Sequence, residues 1–250
     1  MTIKIIKFFI IPFLHFIRKV LNILKKHMLP DIVLQPKRTY YNAFEMYLKE
    51  EELKSYNHFK KFFKSSIFLN ENDIKTYAIK KAAEIESNGN DNFFLEFGVF
   101  QGKSINLFSN ILKEKKFYGF DSFEGLNEDW EGSEYPKGYF DLKGKLPKVN
   151  NNVELVKGRV QDTLKNFISE RNPKISFAHI DLDTYESTKF VLSEIKKNLS
   201  QGSIILFDEL YNFTGWDVGE YKALNEIFSE KEFKFLAFSK NGCQAVIQIL

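Results

Sequence analysis

The chain has 250 residues, of which 44% are hydrophobic and 28% are charged, and it contains one cysteine, Cys243. This length accommodates one α/β domain with an appendage. A single cysteine excludes a disulfide framework and favours a reducing, cytoplasmic setting. Residues 1–30 hold six basic and no acidic residues, whereas the rest holds 30 basic and 33 acidic ones. The body is therefore nearly neutral and carries no general footprint of nucleic-acid binding.

Residues 1–30 are predicted to form a basic amphipathic helix. The run FFIIPFLHFI (8–17) is apolar apart from His15, but spanning a bilayer takes about 20 such residues. Polar residues recur at helical spacing from His15 to Lys26, and apolar residues fill the opposite face. Such a helix can contact a membrane through residues 1–27, at the inner face, or dock on the protein's own body or a second subunit. The polar face of the helix is compatible with both interpretations.

Residues 31–91 are predicted to be a helical extension, with a linker around Pro36 and helices over about 42–64 and about 72–88. Residues 92–250 show a different pattern, in which short apolar runs alternate with helical segments. The five runs are FFLEFGV (93–99), KFYGFDS (116–122), VELVKGR (153–159), ISFAHID (175–181) and SIILFDE (203–209). This alternation predicts a parallel sheet with helices on both faces.

The end of the chain departs from this alternation. FKFLAFS (233–239) and QAVIQIL (244–250) are separated by KNGC, and Asn-Gly between two strand-like runs is typical of a hairpin. We therefore predict an α/β fold with five parallel strands, a C-terminal antiparallel hairpin and N-terminal helices. This differs from the nicotinamide-binding Rossmann pattern and is the Rossmann-like sheet pattern of class I methyltransferases, which bind S-adenosylmethionine.

The segment GVFQGKS (98–104) is one residue short of a P-loop, which has four residues between its glycines. Glu96 just before it would also repel a triphosphate. A cationic ligand reverses this argument, because S-adenosylmethionine carries an ammonium and a sulfonium. Gly98 and Gly102 let the backbone pass close to such a ligand, and Ser104 opens the following helix. The segment favours S-adenosylmethionine over a nucleotide.

Two later positions complete the predicted cofactor site. Asp121 lies 25 residues after Glu96 at the end of the next strand, where a carboxylate can accept from two ribose hydroxyls. Ser122, the next residue, is also predicted to contact the cofactor. Gln161 or Asp162, after the third strand, falls where an adenine would lie. The alternative for each acidic residue is a helix N-cap or a solvated charge.

Acidic residues also follow the last two parallel strands, at the sheet edge where α/β proteins bind ligands. Asp181, Asp208 and Glu209 can jointly bind a hard cation such as Mg²⁺. Such a cation would activate an acceptor hydroxyl, whose proton Asp181, or His179 if it is exposed, would take. His179 can instead be a satisfied core residue, and Glu209 a structural hydrogen-bond acceptor. Asp183 is predicted to cap the next helix.

Five motifs occur together in a recognisable order and spacing: FLEFGVFQGKSIN, YGFDSFEGLNEDW, KGYFDLKGKLPKVNNNVELVKGRVQDTL, HIDLDTYESTKFVL and FDELYNFTGWDVGEYKAL. Over about residues 92–250 they resemble the macrocin O-methyltransferase-like (TylF-like) family. The resemblance implies an enzyme that uses S-adenosylmethionine, often with Mg²⁺, to methylate a sugar hydroxyl. It also leads us to expect a homo-oligomer.

The resemblance assigns roles to individual residues. It implies that the methionine part of the cofactor contacts Glu96, Gly98, Gly102 and Ser104. It further implies that ribose binds Asp121, that adenine lies near Gln161, and that the metal binds Asp181 and Asp208. Glu209 stands where the family's best-known members have a second aspartate, so its side chain is longer by one methylene.

An insertion between Ser122 and Asn151 is predicted to form a lid or substrate wall through its aromatic residues, Trp130, Tyr135, Tyr139 and Phe140. Tyr211, Trp216 and Glu220 are expected to approach from the other side. The leading hypothesis is an O-methyltransferase for a sugar or glycosylated acceptor. The alternative is a non-catalytic binding or scaffold protein with the same fold. A nicotinamide oxidoreductase is disfavoured, since G-x-G-x-x-G is missing.

Overall fold

The computed structural model describes residues 42–84 and 92–250, together with the single positions Ile17 and Lys19. Ile17 and Lys19 are helical and exposed, and the rest of the predicted helix over 1–30 lies outside the described residues. The predicted linker and the end of the predicted helix over about 72–88 lie outside them too. Within the described part of the chain, no helix is long and apolar enough to cross a membrane.

Tyr47–Leu250 forms one compact unit. The elements before residue 92 are α1 (Ala43–Phe63), β1 (Ile67–Leu69) and α2 (Glu71–Glu84). The remaining elements, in chain order, are β2 (Phe93–Phe97), α3 (Lys103–Ile111), β3 (Phe117–Asp121), β4 (Val153–Lys157), α4 (Val160–Arg171), β5 (Ile175–Ile180), α5 (Tyr185–Ile195), a 3₁₀ turn (Lys196–Asn198), β6 (Leu199–Phe207), α6 (Glu220–Ile227), β7 (Phe233–Ser239) and β8 (Ala245–Ile249).

The described strands form one sheet in the order β1-β7-β8-β6-β5-β2-β3-β4. The pairs among β2 to β6 are all parallel, and β8 runs antiparallel to both β6 and β7. The predicted α/β sheet of five parallel strands with a C-terminal antiparallel hairpin is confirmed. From β2 the chain proceeds to β3 and β4 on one side, and β5 and β6 lie on the other. Such a reversal opens a crevice at the carboxyl ends of the strands.

The structure adds one strand that the sequence pattern did not indicate. β1 pairs in parallel with β7, with Ile67 opposite Ala237, so the segment before residue 92 contributes directly to the sheet. Three residues are too few to show the alternation from which strands are recognised. The two helices predicted for this segment are present as α1 and α2.

The sheet is buried on both faces, because successive strand residues point to opposite sides. On β2, Leu95 joins a core with residues of α4 and α5, whereas its neighbour Phe94 joins a second core with residues of α2 and α3. All six residues of β5 are buried. A strand covered on both faces is mainly apolar, which explains the apolar runs in the sequence, and the buried polar residues of these strands, such as Glu96 and His179, are the exceptions.

The most deeply buried aromatic residue of the helix α1 is Phe59. Phe59 is fully buried, and its ring lies 4.9 Å from that of Tyr221, 5.3 Å from that of Trp216 and 5.6 Å from that of Tyr211. Aromatic pairs at such separations contribute beyond the area that they bury. Residues of α1 from Tyr47 onward therefore belong to the core of the unit.

We predict that Phe59→Ala lowers the free energy of unfolding by about 3–5 kcal/mol, because it removes a buried ring and leaves a cavity. Leu53→Ala is the matched control, since Leu53 lies on the same helix and is 51% exposed. The control should change stability by less than about 0.5 kcal/mol. Urea denaturation of both variants measures the difference, and equal losses would contradict the placement of α1.

Candidate active site

The GVFQGKS loop approaches the end of β5 more closely than any side chain would allow. Gly98 has φ +89°, and a Cβ built on it would lie 1.6 Å from the carbonyl oxygen of Asp181. Its N–H donates to the carbonyl of Phe120 at 2.9 Å. The loop is thus held against the ends of β3 and β5, and only glycine fits at this position.

Asp121 orders the same loop from the end of β3. Its Oδ2 accepts from the backbone N–H groups of Val99 at 2.9 Å and Phe100 at 2.7 Å. Its Oδ1 accepts from the N–H of Phe123 at 2.6 Å. An ionised carboxylate has about four acceptor positions, so Asp121 keeps capacity for one further donor. It is both the support of the loop and an available ligand group.

A cavity of about 560 Å³ lies at the carboxyl ends of β2, β3, β5 and β6. Six residues of the predicted site line it: Gly98, Asp121, Ser122, Asp181, Asp208 and Glu209. Six others are not among its lining residues: Glu96, Gly102, Ser104, Gln161, Asp162 and His179. The loop adds Phe100 and Lys103 to the lining. The volume is in the range of small-molecule sites.

Glu96 and Ser104 contact each other beneath the loop. Glu96 is 1% exposed, and its Oε1 accepts from Ser104 Oγ at 2.8 Å. Ser104 lines a smaller neighbouring cavity of about 260 Å³, together with Lys75 and Asp181. Gly102 is the N-cap of α3. Glu96, Gly102 and Ser104 therefore lie next to the main cavity without lining it.

His179 is enclosed between two carboxylates. It is fully buried, with Nδ1 3.4 Å from Glu96 Oε2 and Nε2 3.5 Å from Asp208 Oδ1. Burial alone would lower the pKa of His179, but the carboxylates of Asp208 and Glu96 raise it to about 10. The ring is fully buried and does not line the cavity. The structure gives His179 a supporting position.

Gln161 and Asp162, which were predicted to lie near an adenine, do not line the cavity. Gln161 and Asp162 lie in the first turn of α4 with exposed side chains. Arg159 and Val160, just before them, line the cavity instead. Arg159 is oriented by donation from Nη1 to the carbonyl of Gly125 at 2.8 Å. The helix turns the side chains of Gln161 and Asp162 outward.

Three carboxylates converge at the cavity wall. Asp181, Asp183 and Glu209 each offer an oxygen, and these oxygens lie within 4.8 Å of one another. The prediction that Asp183 caps α5 is wrong, because Thr184 occupies the N-cap position and Asp183 has φ +62°. With this backbone conformation, Asp183 lies in the cavity wall. Glu209 Oε2 is buried and has no hydrogen-bond partner.

Crowding of these acids raises their pKa values. Burial, together with the charges of Asp208 and Asp121, raises the pKa of Asp183 to about 7. Burial and neighbouring carboxylates raise the pKa values of Asp181 and Glu209 well above the ordinary range. A cation between the three side chains would remove this penalty. Oxygen donors and an unpartnered buried oxygen fit a hard divalent cation.

Asp208 has two cationic side chains next to it. Its Oδ1 lies 3.0 Å from Lys75 Nζ and 3.5 Å from His179 Nε2. Burial would raise the pKa of Asp208, but His179 and Lys75 hold it below the ordinary value. Burial would lower the pKa of Lys75, but Asp208 and Asp181 raise it, so both groups are charged. Lys75 lies in α2, where no sequence motif marked it.

The insertion supplies an aromatic wall. Trp130, Tyr135 and Phe140 line the cavity, whereas Tyr139 is 46% exposed. The rings of Trp130 and Tyr135 stack at 5.5 Å, and that of Phe140 lies 5.2 Å from Phe100 of the glycine loop.

The residues expected on the opposite side of the cavity do not form a second wall. Tyr211, Trp216 and Glu220 are buried, with exposures of 6%, 3% and 0%. Tyr211 donates its hydroxyl to the carbonyl of Ser239, and Glu220 Oε2 accepts from the N–H of Glu209 at 3.0 Å. They support the end of β6 from the core.

Comparison with known proteins finds one matching family model and several similar structures. Residues 95–210 match the sequence model of a family described as a methyltransferase domain. The calicheamicin methyltransferase CalS11 is similar in structure, with a TM-score of 0.59 and 21% identity over 86% of this chain and 96% of that chain. Its apo form, described as a TDP-rhamnose 3'-O-methyltransferase of calicheamicin biosynthesis, gives a TM-score of 0.54 and 20% identity over 86% of this chain and 99% of that chain.

The O-methyltransferase NovP is also similar, with a TM-score of 0.52 and 16% identity over 71% of this chain and 78% of that chain. Among curated proteins, no significant sequence match was found. The structural similarities establish the Rossmann-like methyltransferase fold. The segment that carries the glycine loop, Asp121 and the acidic cluster is the one that matches a methyltransferase domain.

We predict that Gly98→Ala costs clearly more stability than Gly138→Ala. Both glycines have similar positive φ values, +89° and +82°, but a Cβ at Gly138 has no neighbour within 4 Å. The control therefore carries only the backbone penalty of about 1–2 kcal/mol, whereas Gly98→Ala also forces the loop away from Asp181. Urea denaturation checks this, and equal losses would contradict the close approach of the loop.

Proposed function

We propose that this protein is an S-adenosylmethionine-dependent O-methyltransferase that methylates a hydroxyl of a sugar or glycosylated acceptor. The observation that carries the proposal is the cavity in which the glycine loop and Asp121 meet a cluster of three carboxylates. The methyltransferase-domain match over residues 95–210 supports it, because that range includes all of these residues.

The cofactor would lie against the glycine loop. Gly98 lets the backbone come close, and Asp121 with Ser122 lies at the end of β3, where a ribose can be bound. Acidic side chains outnumber basic ones in the lining, which favours a ligand with an ammonium and a sulfonium. Glu96 would contribute indirectly by fixing Ser104 and the start of α3.

Asp181, Asp183 and Glu209 would hold Mg²⁺, which when bound polarises an acceptor hydroxyl as a Lewis acid. In the transfer itself, the hydroxyl oxygen forms a bond to the methyl carbon while the carbon–sulfur bond breaks. The bonding pair goes to sulfur and leaves a neutral thioether, and the hydroxyl proton passes to a cavity carboxylate. Asp181 is the proposed acceptor of that proton, because it lines the cavity and His179 does not.

The acceptor would lie between the acidic cluster and the aromatic wall. Trp130, Tyr135 and Phe140 provide flat apolar faces next to polar groups, an arrangement suited to a small polar ring. CalS11 is described as acting on TDP-rhamnose and NovP as an O-methyltransferase. These descriptions support a sugar hydroxyl as the first acceptor class to test.

We predict that the protein binds S-adenosylmethionine and S-adenosylhomocysteine with micromolar affinity in calorimetric titration. Asp121→Ala should weaken binding about tenfold to 100-fold, since it removes a charged acceptor and releases the loop. Asp162→Asn is the matched control and should change affinity less than about threefold, because Asp162 is exposed on α4. Binding of neither compound would contradict the proposal.

We also predict release of S-adenosylhomocysteine when sugars, sugar nucleotides or glycosides are supplied with S-adenosylmethionine. Chelation of divalent cations should reduce the rate, because the carboxylate cluster then lacks its cation. Glu209→Gln should reduce the rate in the presence of Mg²⁺. Cofactor binding without turnover on any such acceptor would instead favour a non-catalytic binding protein.

A further inference from the structure

A second cavity, of about 250 Å³, adjoins the main one and is called the side cavity below. The two cavities share three lining residues, Trp130, Asp183 and Thr184. The volume of the side cavity is below the range of about 300–1,000 Å³ that is usual for sites of drug-sized ligands. The side cavity therefore suits one end of a ligand whose remainder lies in the main cavity.

Three segments of the chain enclose the side cavity. They are residues 128–131 of the insertion, residues 183–186 at the start of α5 and residues between 218 and 222 at the start of α6. The insertion and the segment after β6 are held together by backbone contact. A Cβ built on Gly132 would lie 2.4 Å from Gly215 Cα, and one built on Gly215 would lie 2.2 Å from the carbonyl oxygen of Glu131. Thr214 also donates its hydroxyl to the carbonyl of Gly132, so the walls of the side cavity are fixed to each other.

The lining of the side cavity is strongly acidic. Five of its side chains carry carboxylates: Glu128, Asp129, Glu131, Asp183 and Glu186. Its basic residue, Lys222, has Nζ 4.0 Å from the centroid of the Tyr185 ring. Within residues 42–84 and 92–250, none of the five carboxylates has a lysine, arginine or histidine side chain within ion-pair distance. The negative charge of the side cavity is therefore not balanced by ion pairs of its own.

Two polar atoms of the lining are buried and have no hydrogen-bond partner in the described part of the chain. One is the hydroxyl oxygen of Thr184, a residue that is 4% exposed, and the other is Glu128 Oε1. Thr184 is the N-cap residue of α5, but its side chain makes no capping hydrogen bond. The fold thus leaves this hydroxyl unused at the junction of the two cavities. Buried polar groups are normally paired, so both atoms are available to a ligand.

The spacing of the carboxylates favours an organic cation over a metal ion. Among the described residues, the sets of acidic and histidine side chains whose ligand atoms lie within 4.8 Å of one another include none of Glu128, Asp129, Glu131 and Glu186. Carboxylates that are spread around a cavity suit the several N–H donors of an ammonium group, which form charge-assisted hydrogen bonds. Trp130 adds an aromatic ring, whose face attracts cations.

We propose that the side cavity is an acceptor subsite for a protonated amino group, so that the acceptor is an amino sugar or an amino-substituted glycoside. The inference rests on the proposed function and narrows it, because an anionic sugar nucleotide would meet like charges in the side cavity. Glu128 and Thr184 are the residues that select the amino group. The hydroxyl to be methylated would lie in the main cavity.

The test is a titration of the full chain, without cofactor, in which ligand-observed NMR measures the binding of glucosamine, glucose and glucose 1-phosphate. Glucosamine should bind at least about tenfold more tightly than glucose, since a hydrogen bond to a charged group contributes at least that much. Glucose 1-phosphate should bind more weakly than glucose. Glu128→Gln and Thr184→Val should each weaken glucosamine binding at least about threefold. Glu134→Gln is the matched control and should leave it unchanged, because Glu134 is exposed in the same insertion and lines neither cavity.

Equal affinity for glucosamine and glucose, tighter binding of glucose 1-phosphate, or no detectable binding of glucosamine would overturn the proposal. Equal effects of Glu128→Gln and Glu134→Gln would overturn it as well. Circular dichroism establishes that each variant is folded, and Thr184→Val serves as the second variant if Glu128→Gln is not. A preference for glucosamine without methyl transfer to any acceptor would contradict the proposed function alone. Methyl transfer to neutral sugars without this preference would contradict the subsite alone.

Discussion

A row of buried charges of alternating sign underlies the site. Glu96 on β2, His179 on β5, Asp208 after β6 and Lys75 on α2 follow one another, with contacts of 3.4, 3.5 and 3.0 Å. Charges removed from water are tolerated only when they are paired, and removal of one partner leaves the other unsatisfied. Since Glu96 and His179 are register partners on adjacent strands, the sheet itself places the row.

The cavity depends on this row and on the loop above it. Glu96 fixes Ser104 at the start of α3, and Asp121 holds the loop through the backbone N–H groups of Val99 and Phe100. Gly98 then brings the loop against the carbonyl of Asp181. Asp181, Asp183 and Glu209 face the cavity, where their carboxylates lie close together.

The parts of this arrangement that could be predicted from the sequence are those with local signals. The strands show apolar runs, so the sheet was predicted correctly, and the glycines next to Glu96 mark the loop that lies at its edge. Lys75 could not be predicted to contact Asp208, because only the packing of α2 on the sheet brings them together. Asp183 and Arg159 were missed because the backbone at a strand end decides which neighbouring side chain faces inward.

The central claim is the proposal that S-adenosylmethionine binds along the glycine loop and a divalent cation binds beside it. A crystal structure of the full chain with S-adenosylhomocysteine and Mn²⁺, with anomalous diffraction from manganese, tests this most directly. The account predicts the thioether against Gly98 and Asp121, and manganese among the carboxylates that line the cavity. A cofactor outside the cavity, or no manganese at these carboxylates, would contradict it.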